Sequence, residues 1–254
     1  MSLKGIHVRL IAVFLLLTLL TFGCSEPVEE SFKHKIRYTI SVEFGKPVKD
    51  RREVPQVDFV ENITLIVPLP VRNGTPINLS LLATPEGWNA SLVETEYGLM
   101  LLLRAEKLKT WRMGKVPVPV EPGSEEKPEI PEEKRPAIYE FEVVLDLDRE
   151  VNTLNPLKGE YVLQPKLELV EVECGEDMRF YQFARCYSYI APVYFSSEPF
   201  VDAGVVVWLE GSNWWFTYGW TGNEFGDFFF ASFEKPGWKT VKGNLSTGRG
   251  VYRR

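Results

Sequence analysis

Behind residue 24 the chain holds one histidine, His34. Imidazole is the usual base that activates a serine or cysteine nucleophile. A single histidine, in a stretch that alternates charged and apolar residues, gives no ground for a triad. A zinc site built on histidines is excluded by number. Carboxylates are plentiful, 35 in all. Two of them at the right separation hydrolyse glycosides, but such partners are remote in sequence and no spacing here selects a pair. Asp146, Asp148, Glu150 and Asn152 alternate as calcium ligands can. They lack the glycine of a helix–loop–helix site, and a solvated strand end alternates in the same way. Gly248-Arg249-Gly250 has no helix behind it to hold a phosphate. The sequence therefore specifies no catalytic residue, no metal and no cofactor.

The other chemistry on offer is stacking. GSNWWFTYGWTGNEFGDFFFASF spans residues 211–233. Gly at the first central position favours a two-residue hairpin turn at Gly222-Asn223. That register puts Trp214, Phe216, Tyr218 and Trp220 on one face with Phe225, Asp227 and Phe229. Trp215 falls on the other face, with Phe228 and Phe230. Trp214, Trp215, Tyr218 and Trp220 are then a ligand platform for sugar rings or an apolar partner, with Asp227 supplying hydrogen bonds. The competing reading is core, because buried aromatics stabilise β-sandwiches. An exposed Trp cluster is costly unless something uses it.

The first segment is an address. Lys4 and Arg9 precede Leu10–Phe22, a run of 13 residues that is apolar except for Thr18 and Thr21. As helix it is about 20 Å long, short for a bilayer core of roughly 20 residues. It fits the apolar region of a secretory signal. The run ends Thr21-Phe22-Gly23-Cys24, which resembles a bacterial-type lipoprotein signal, although Thr21 stands where leucine is usual. The resemblance implies cleavage before Cys24 and its lipidation. An uncleaved anchor helix and plain secretion are the alternatives, and all three place residues 25–254 outside the cytoplasm. Ser25–Ser31 reads as a polar tether. Lys4 and Arg9 are the only Asp, Glu, Lys or Arg in residues 1–23, so their loss moves the net charge from −6 to −8. An acidic chain without a basic stripe excludes nucleic acid as a partner. Lys49, Arg51 and Arg52, broken by Asp50, read as a solvated turn.

An exterior location has independent support. Five of the nine asparagines open an N-x-S/T sequon, where chance gives about one. Asn62, Asn78, Asn89 and Asn244 are the expected glycosylation sites; Asn73 precedes Thr75-Pro76, which hinders the reaction. Alternating strands also place Asn and Ser two apart without modification. Cys174 and Cys186 suit a disulfide in an oxidising compartment.

Period-two patterning dominates after the tether. Ile36, Tyr38, Ile40, Val42 and Phe44 alternate with charged or polar neighbours, as do Tyr139 to Leu147. Pro68 and Pro70 mark a strand end or edge. Asn73-Gly74 and Pro85-Glu86-Gly87 mark turns. Tyr161–Val172 is one strand or two split at Pro165, and Ala105–Met113 has room for one short helix. Pro85-Glu86-Gly87-Trp88 and Pro236-Gly237-Trp238 resemble a turn common in extracellular immunoglobulin-like sandwiches. Residues 116–136 hold six prolines among acids and read as an extended linker or long loop.

The expected architecture is an all-β, antiparallel β-sandwich, immunoglobulin-like or jelly-roll-like, as one domain or two small ones. Its parts are a signal peptide or anchor helix (1–23), a tether (24–34), a strand region (35–113), a Pro/Glu-rich connection (114–136) and a second strand region (137–254). The expected role is that of a non-catalytic, membrane-anchored surface module that binds carbohydrate or another surface protein or supports the envelope. The alternative is a glycoside-processing enzyme working through a carboxylate pair.

Overall fold

The computed structural model describes residues 32–49, 51–115, 132–216 and 219–252. Ten strands form one antiparallel sheet: β1 (Phe32–Phe44), β2 (Phe59–Val67), β3 (Trp88–Thr95), β4 (Gly98–Lys109), β5 (Ile138–Leu147), β6 (Leu167–Val172), β7 (Arg185–Glu198), β8 (Ala203–Phe216), β9 (Trp220–Phe233) and β10 (Gly237–Gly250). The order across the sheet is β5-β1-β8-β9-β10-β7-β2-β4-β3. The strand β6 pairs with the first part of β7, and β2 pairs with its last part. Strands from both sides of residues 116–131 thus share one sheet. No α-helix is present among the described residues. The expected anchor helix at 1–23 and the tether before Phe32 lie outside them, as do residues 116–131.

The sheet curls until its edges approach. Ala83, just before β3, exchanges backbone hydrogen bonds of 2.8 and 3.2 Å with Glu142 of β5. The Trp88 ring of β3 meets Phe141 of β5 edge-on at 5.1 Å. Right-handed strand twist drives such curling, and closing the edges removes unpaired backbone that would otherwise recruit other chains. The interior is apolar: Ile36, Tyr38, Ile40, Val42 and Phe44 of β1 are all fully buried, as their alternation predicts. The Tyr38 hydroxyl, taken out of water, donates to Pro68 O at 2.8 Å, and burial pushes its pKa far up.

A small sheet of Leu69–Arg72, Thr75–Pro76 and Val162–Gln164 packs on this core through Leu69, Ile77 and Leu163. Asn73 and Gly74 both take positive φ, 50° and 79°, which is the hairpin geometry that their sequence predicts. Pro165 does split the following segment in two. Cys174 and Cys186 are joined, with Cα atoms 5.2 Å apart. The bond closes a loop with a sequence separation of 12, a constraint of about 2–3 kcal/mol in the chain-entropy description. Reduction should therefore lower the urea midpoint without changing secondary structure; an unaltered midpoint would contradict this.

Two local expectations fail. Residues 105–109 continue β4 and Trp111–Lys115 pair with Glu132–Pro136, so the short helix does not form. Ala105 and Leu108 are buried while Glu106, Lys107 and Lys109 are exposed, and pairing with β2, Val60 to Leu108 and Ile63 to Ala105, overrides a weak helical preference. Nor is Arg52 solvated. Its side chain is 6% exposed, 3.7 Å from Glu43, and donates to Gly45 O. Gly204 makes the space, since a Cβ there would stand 2.2 Å from the guanidinium. Burial lowers the Arg52 pKa, opposed by Glu43 and Asp202.

The loop after β5 is anchored by a buried carboxylate. Burial would push Glu160 up. Two bonds from Arg149 at 2.7 and 2.9 Å outweigh it, with the N–H groups of Tyr161 and Asn152, and the Glu160 pKa falls below the ordinary glutamate value. A carboxylate with a depressed folded pKa contributes stability above its unfolded pKa and loses it as pH falls through the folded one. Glu160→Gln should therefore lower the melting temperature at neutral pH and flatten its decline below about pH 4. An acid limb as steep as that of the wild type would contradict this account.

Candidate functional site

Strands β8 and β9 are adjacent in the middle of the sheet, paired from Ala203–Phe233 to Phe216–Trp220. The connection therefore lies at 217–219, and the expected turn at Gly222-Asn223 is wrong. Gly222 sits inside β9 for a different reason. A Cβ there would fall 2.2 Å from Asn213 O and 3.0 Å from the Trp214 ring. Its role is close approach, not reversal.

With the true register, odd-numbered residues of both strands face the core and even-numbered residues face outward. The outer ladder runs Val206–Phe230, Trp208–Phe228, Glu210–Gly226, Ser212–Glu224, Trp214–Gly222 and Phe216–Trp220. Five steps of two residues give about 34 Å. Trp208 and Phe228 stack at 5.1 Å with planes 22° apart. Phe230 and Trp220 are 53% and 48% exposed. Between the aromatic rungs lie Glu210 and Glu224. Glu224 pairs with Arg249 of β10, and Arg37 of β1 stands beside Glu210 in the register. Partial burial raises the Glu210 pKa, neighbouring Glu224 raises it further, and Arg37 and Arg249 oppose.

This geometry can do two things. Flat aromatic faces flanked by carboxylates and guanidinium match the alternating apolar and hydroxylated surfaces of a sugar chain. A carboxyl with a raised pKa can also donate a proton.

The expected platform is divided by the sheet. Trp214 and Trp220 are on the outer face. Trp215 points inward and is 6% exposed, and Asp227 is fully buried, so neither joins a surface platform. Tyr218 lies outside the described residues. Asp227 instead accepts from the Tyr189 hydroxyl at 2.7 Å and from Leu163 N–H at 2.9 Å, and it pairs with Lys166. The misplaced turn changes the pairing by an odd number of residues, which sets Phe228 and Phe230 on the face opposite Trp214 and Trp220, and Trp208 and Glu210 lie before the segment 211–233. An odd shift sends one strand's side chains to the opposite face.

The other expected residues are scattered. His34 Nδ1 donates to Asn213 Oδ1 at 2.8 Å, a structural contact. Asp146 meets Lys35 at 3.3 Å and Asn152 accepts from Asn155 N–H. Among the described residues no group of three or more His, Cys, Asp or Glu is arranged to hold a metal. Asn62, Asn78 and Asn89 are exposed, and Asn244 is half-buried beside Phe228. Cys24 lies outside the described residues. No described helix is long and apolar enough to cross a membrane.

No family model, no curated protein and no solved structure matches the chain.

Proposed function

We propose that this protein is a membrane-tethered, extracytoplasmic β-domain that binds carbohydrate on the outer face of β8 and β9, without catalysis. The observation that carries the reading is the stacked Trp208–Phe228 pair set between exposed Phe230 and the charged Glu210, Glu224 and Arg249. Large apolar surface kept at the centre of a sheet costs solubility unless it is used. A tether at Cys24, with lipid on that cysteine, follows from the sequence of residues 10–24, and glycosylation at Asn62, Asn78 and Asn89 suits their exposure. In architecture we read a sandwich-like arrangement, the small sheet packing across the interior of the large one; Leu163 N–H bonded to Asp227 of β9 supports it.

The test is a glycan array probed with the purified full chain. Trp208→Ala should reduce binding at least tenfold, a loss of about 1.4 kcal/mol or more, while leaving the melting temperature within a few degrees. Equal binding by the variant would remove the platform. Asn244 adjoins Phe228, so enzymatic removal of N-glycans should leave binding unchanged or stronger.

A second reading rests on the raised Glu210 pKa beside Glu224. In a glycoside-processing enzyme Glu210 is the acid and Glu224, paired with Arg249, its partner carboxyl group. Polysaccharide turnover that Glu210→Gln abolishes while ligand binding persists would favour the enzyme over the binding module.

A further inference from the structure

The ends of five strands converge at one pole of the curled sheet. The start of β1 pairs there, Phe32 with Trp215. The β8–β9 hairpin ends there at Phe216 and Trp220. The end of β10 follows, where Val251 N–H bonds to Gly222 O at 2.8 Å. The start of β7 pairs with Thr247, which brings the disulfide-closed loop 174–186 to the same pole. The Phe183 ring of that loop meets Tyr252 at 5.3 Å.

This pole is apolar at its surface. Phe180 is 91% exposed, and Phe183 and Val251 are 45% and 56% exposed. Trp214, Phe216 and Trp220 project from the hairpin beside them, with Lys33 Nζ 4.5 Å above the Trp220 ring. Charges of both signs lie among them: Arg179 pairs with Glu176, and Arg185 with Glu171. Aromatic residues interspersed with balanced charge suit the interfacial layer of a bilayer, where amphipathic rings sit at headgroup level.

Chain length fixes which end of the domain this layer can meet. Ser25–Ser31 is seven residues, at most about 25 Å when extended. The long strands have 14 residues each, or about 46 Å. With residue 24 held at a membrane, the pole that receives Phe32 lies within reach of the lipid and the opposite end does not.

We infer that the aromatic pole formed by the paired ends of β8 and β9 and the disulfide loop docks on the lipid headgroup layer, so that the domain stands on its membrane. This rests on the membrane-tethered reading. The docking group, Trp214, Trp220, Phe180 and Phe183, is distinct from the mid-sheet ligand face, which the orientation leaves free to meet ligands alongside.

The experiment uses the full chain reconstituted into phosphatidylcholine vesicles whose acyl chains carry bromine near the headgroup. Tryptophan emission should be quenched relative to unbrominated vesicles, and Trp214→Phe with Trp220→Phe should remove at least half of that quenching. Phe180→Glu with Phe183→Glu should likewise reduce it in a protein that still floats with the vesicles. Protein that floats but is not quenched, or quenching that survives both double substitutions, would overturn the docking and leave the tether intact. Protein that fails to float at all would overturn tether and docking together.

Discussion

Asp227→Ala should cost about 3–5 kcal/mol of folding stability, the amount expected when one partner of a buried ion pair is removed. The side chains of Lys166 and Asp227 are 2% and 0% exposed. Burial pushes the Lys166 ammonium pKa down, and the charge and hydrogen bond of Asp227 oppose this. The same carboxylate takes the Tyr189 hydroxyl and the Leu163 N–H, while Lys166 also donates to Leu163 O at 2.9 Å and lies 4.1 Å above the Tyr189 ring. Alanine at 227 would therefore leave an ammonium, a phenol and a peptide N–H without their acceptor in a site that excludes water. The measurement is urea unfolding followed by tryptophan emission. A loss below about 1 kcal/mol would mean that the site admits water.

The pair's net worth is a separate matter from the cost of breaking it. Replacing both charges with apolar groups of similar size is often neutral, because the desolvation of two ions is avoided. Lys166→Met with Asp227→Leu should thus recover much of the stability lost by Asp227→Ala, limited by the stranded Tyr189 hydroxyl. The Tyr189 ring lies flush against Gly243, where a Cβ would stand 2.3 Å from it. The pair fixes where the segment Val162–Lys166 crosses the inside of the sheet, a specification that apolar packing alone supplies less sharply.

The parts of this fold that could be read from sequence are those that period, turn chemistry or cysteine count decides. The β1 alternation from Ile36 to Phe44 needed only the rule that successive side chains face opposite ways. Asn73-Gly74 needed only turn chemistry, and the Cys174–Cys186 bond only compartment and count. What could not be read depends on partners distant in sequence. Gly222 looks like a turn residue until Asn213 and Trp214 are seen against it. Asp227 looks like a surface ligand group until Lys166, 61 residues away, is found beside it. Arg52 looks solvated until Gly204 opens a space for it. Each error has one cause: a residue's local preference is overruled by a contact that the local sequence does not contain. The candidate site suffered most because it lies on a hairpin whose faces are both aromatic. Hydrophobic patterning sets register only where one face is polar, and here it left the register open.

Asn213→Ala should produce the second large effect, about 2–4 kcal/mol, through a polar network rather than an ion pair. Asn213 is buried and satisfies four contacts. Its Oδ1 accepts from Val151 N–H and from His34 Nδ1, each at 2.8 Å, and its Nδ2 donates to Val151 O and to Asn223 Oδ1, each at 2.8 Å. Asn223 Oδ1 accepts also from Thr153 Oγ1 at 2.7 Å, and its amide donates to Val251 O at 3.1 Å. One asparagine pair thus holds the loop after β5 and the chain beyond β10 against the β8–β9 hairpin. Alanine strands the Val151 N–H, and an unsatisfied buried group costs roughly 1–3 kcal/mol; the Val151 C=O keeps the Thr153 N–H at 2.9 Å. The loss should be local as well as global. Backbone amides of residues 150–155 should exchange with solvent at least tenfold faster, while those of β2 and β4, on the far side of the sheet, change only as global stability requires. Asn213→Asp keeps the acceptor for Val151 N–H and removes the donor to Val151 O, so it should fall between alanine and wild type. Uniform acceleration across all strands would make Asn213 an ordinary packing residue, because a side chain that only fills space has no reason to release one loop before the rest.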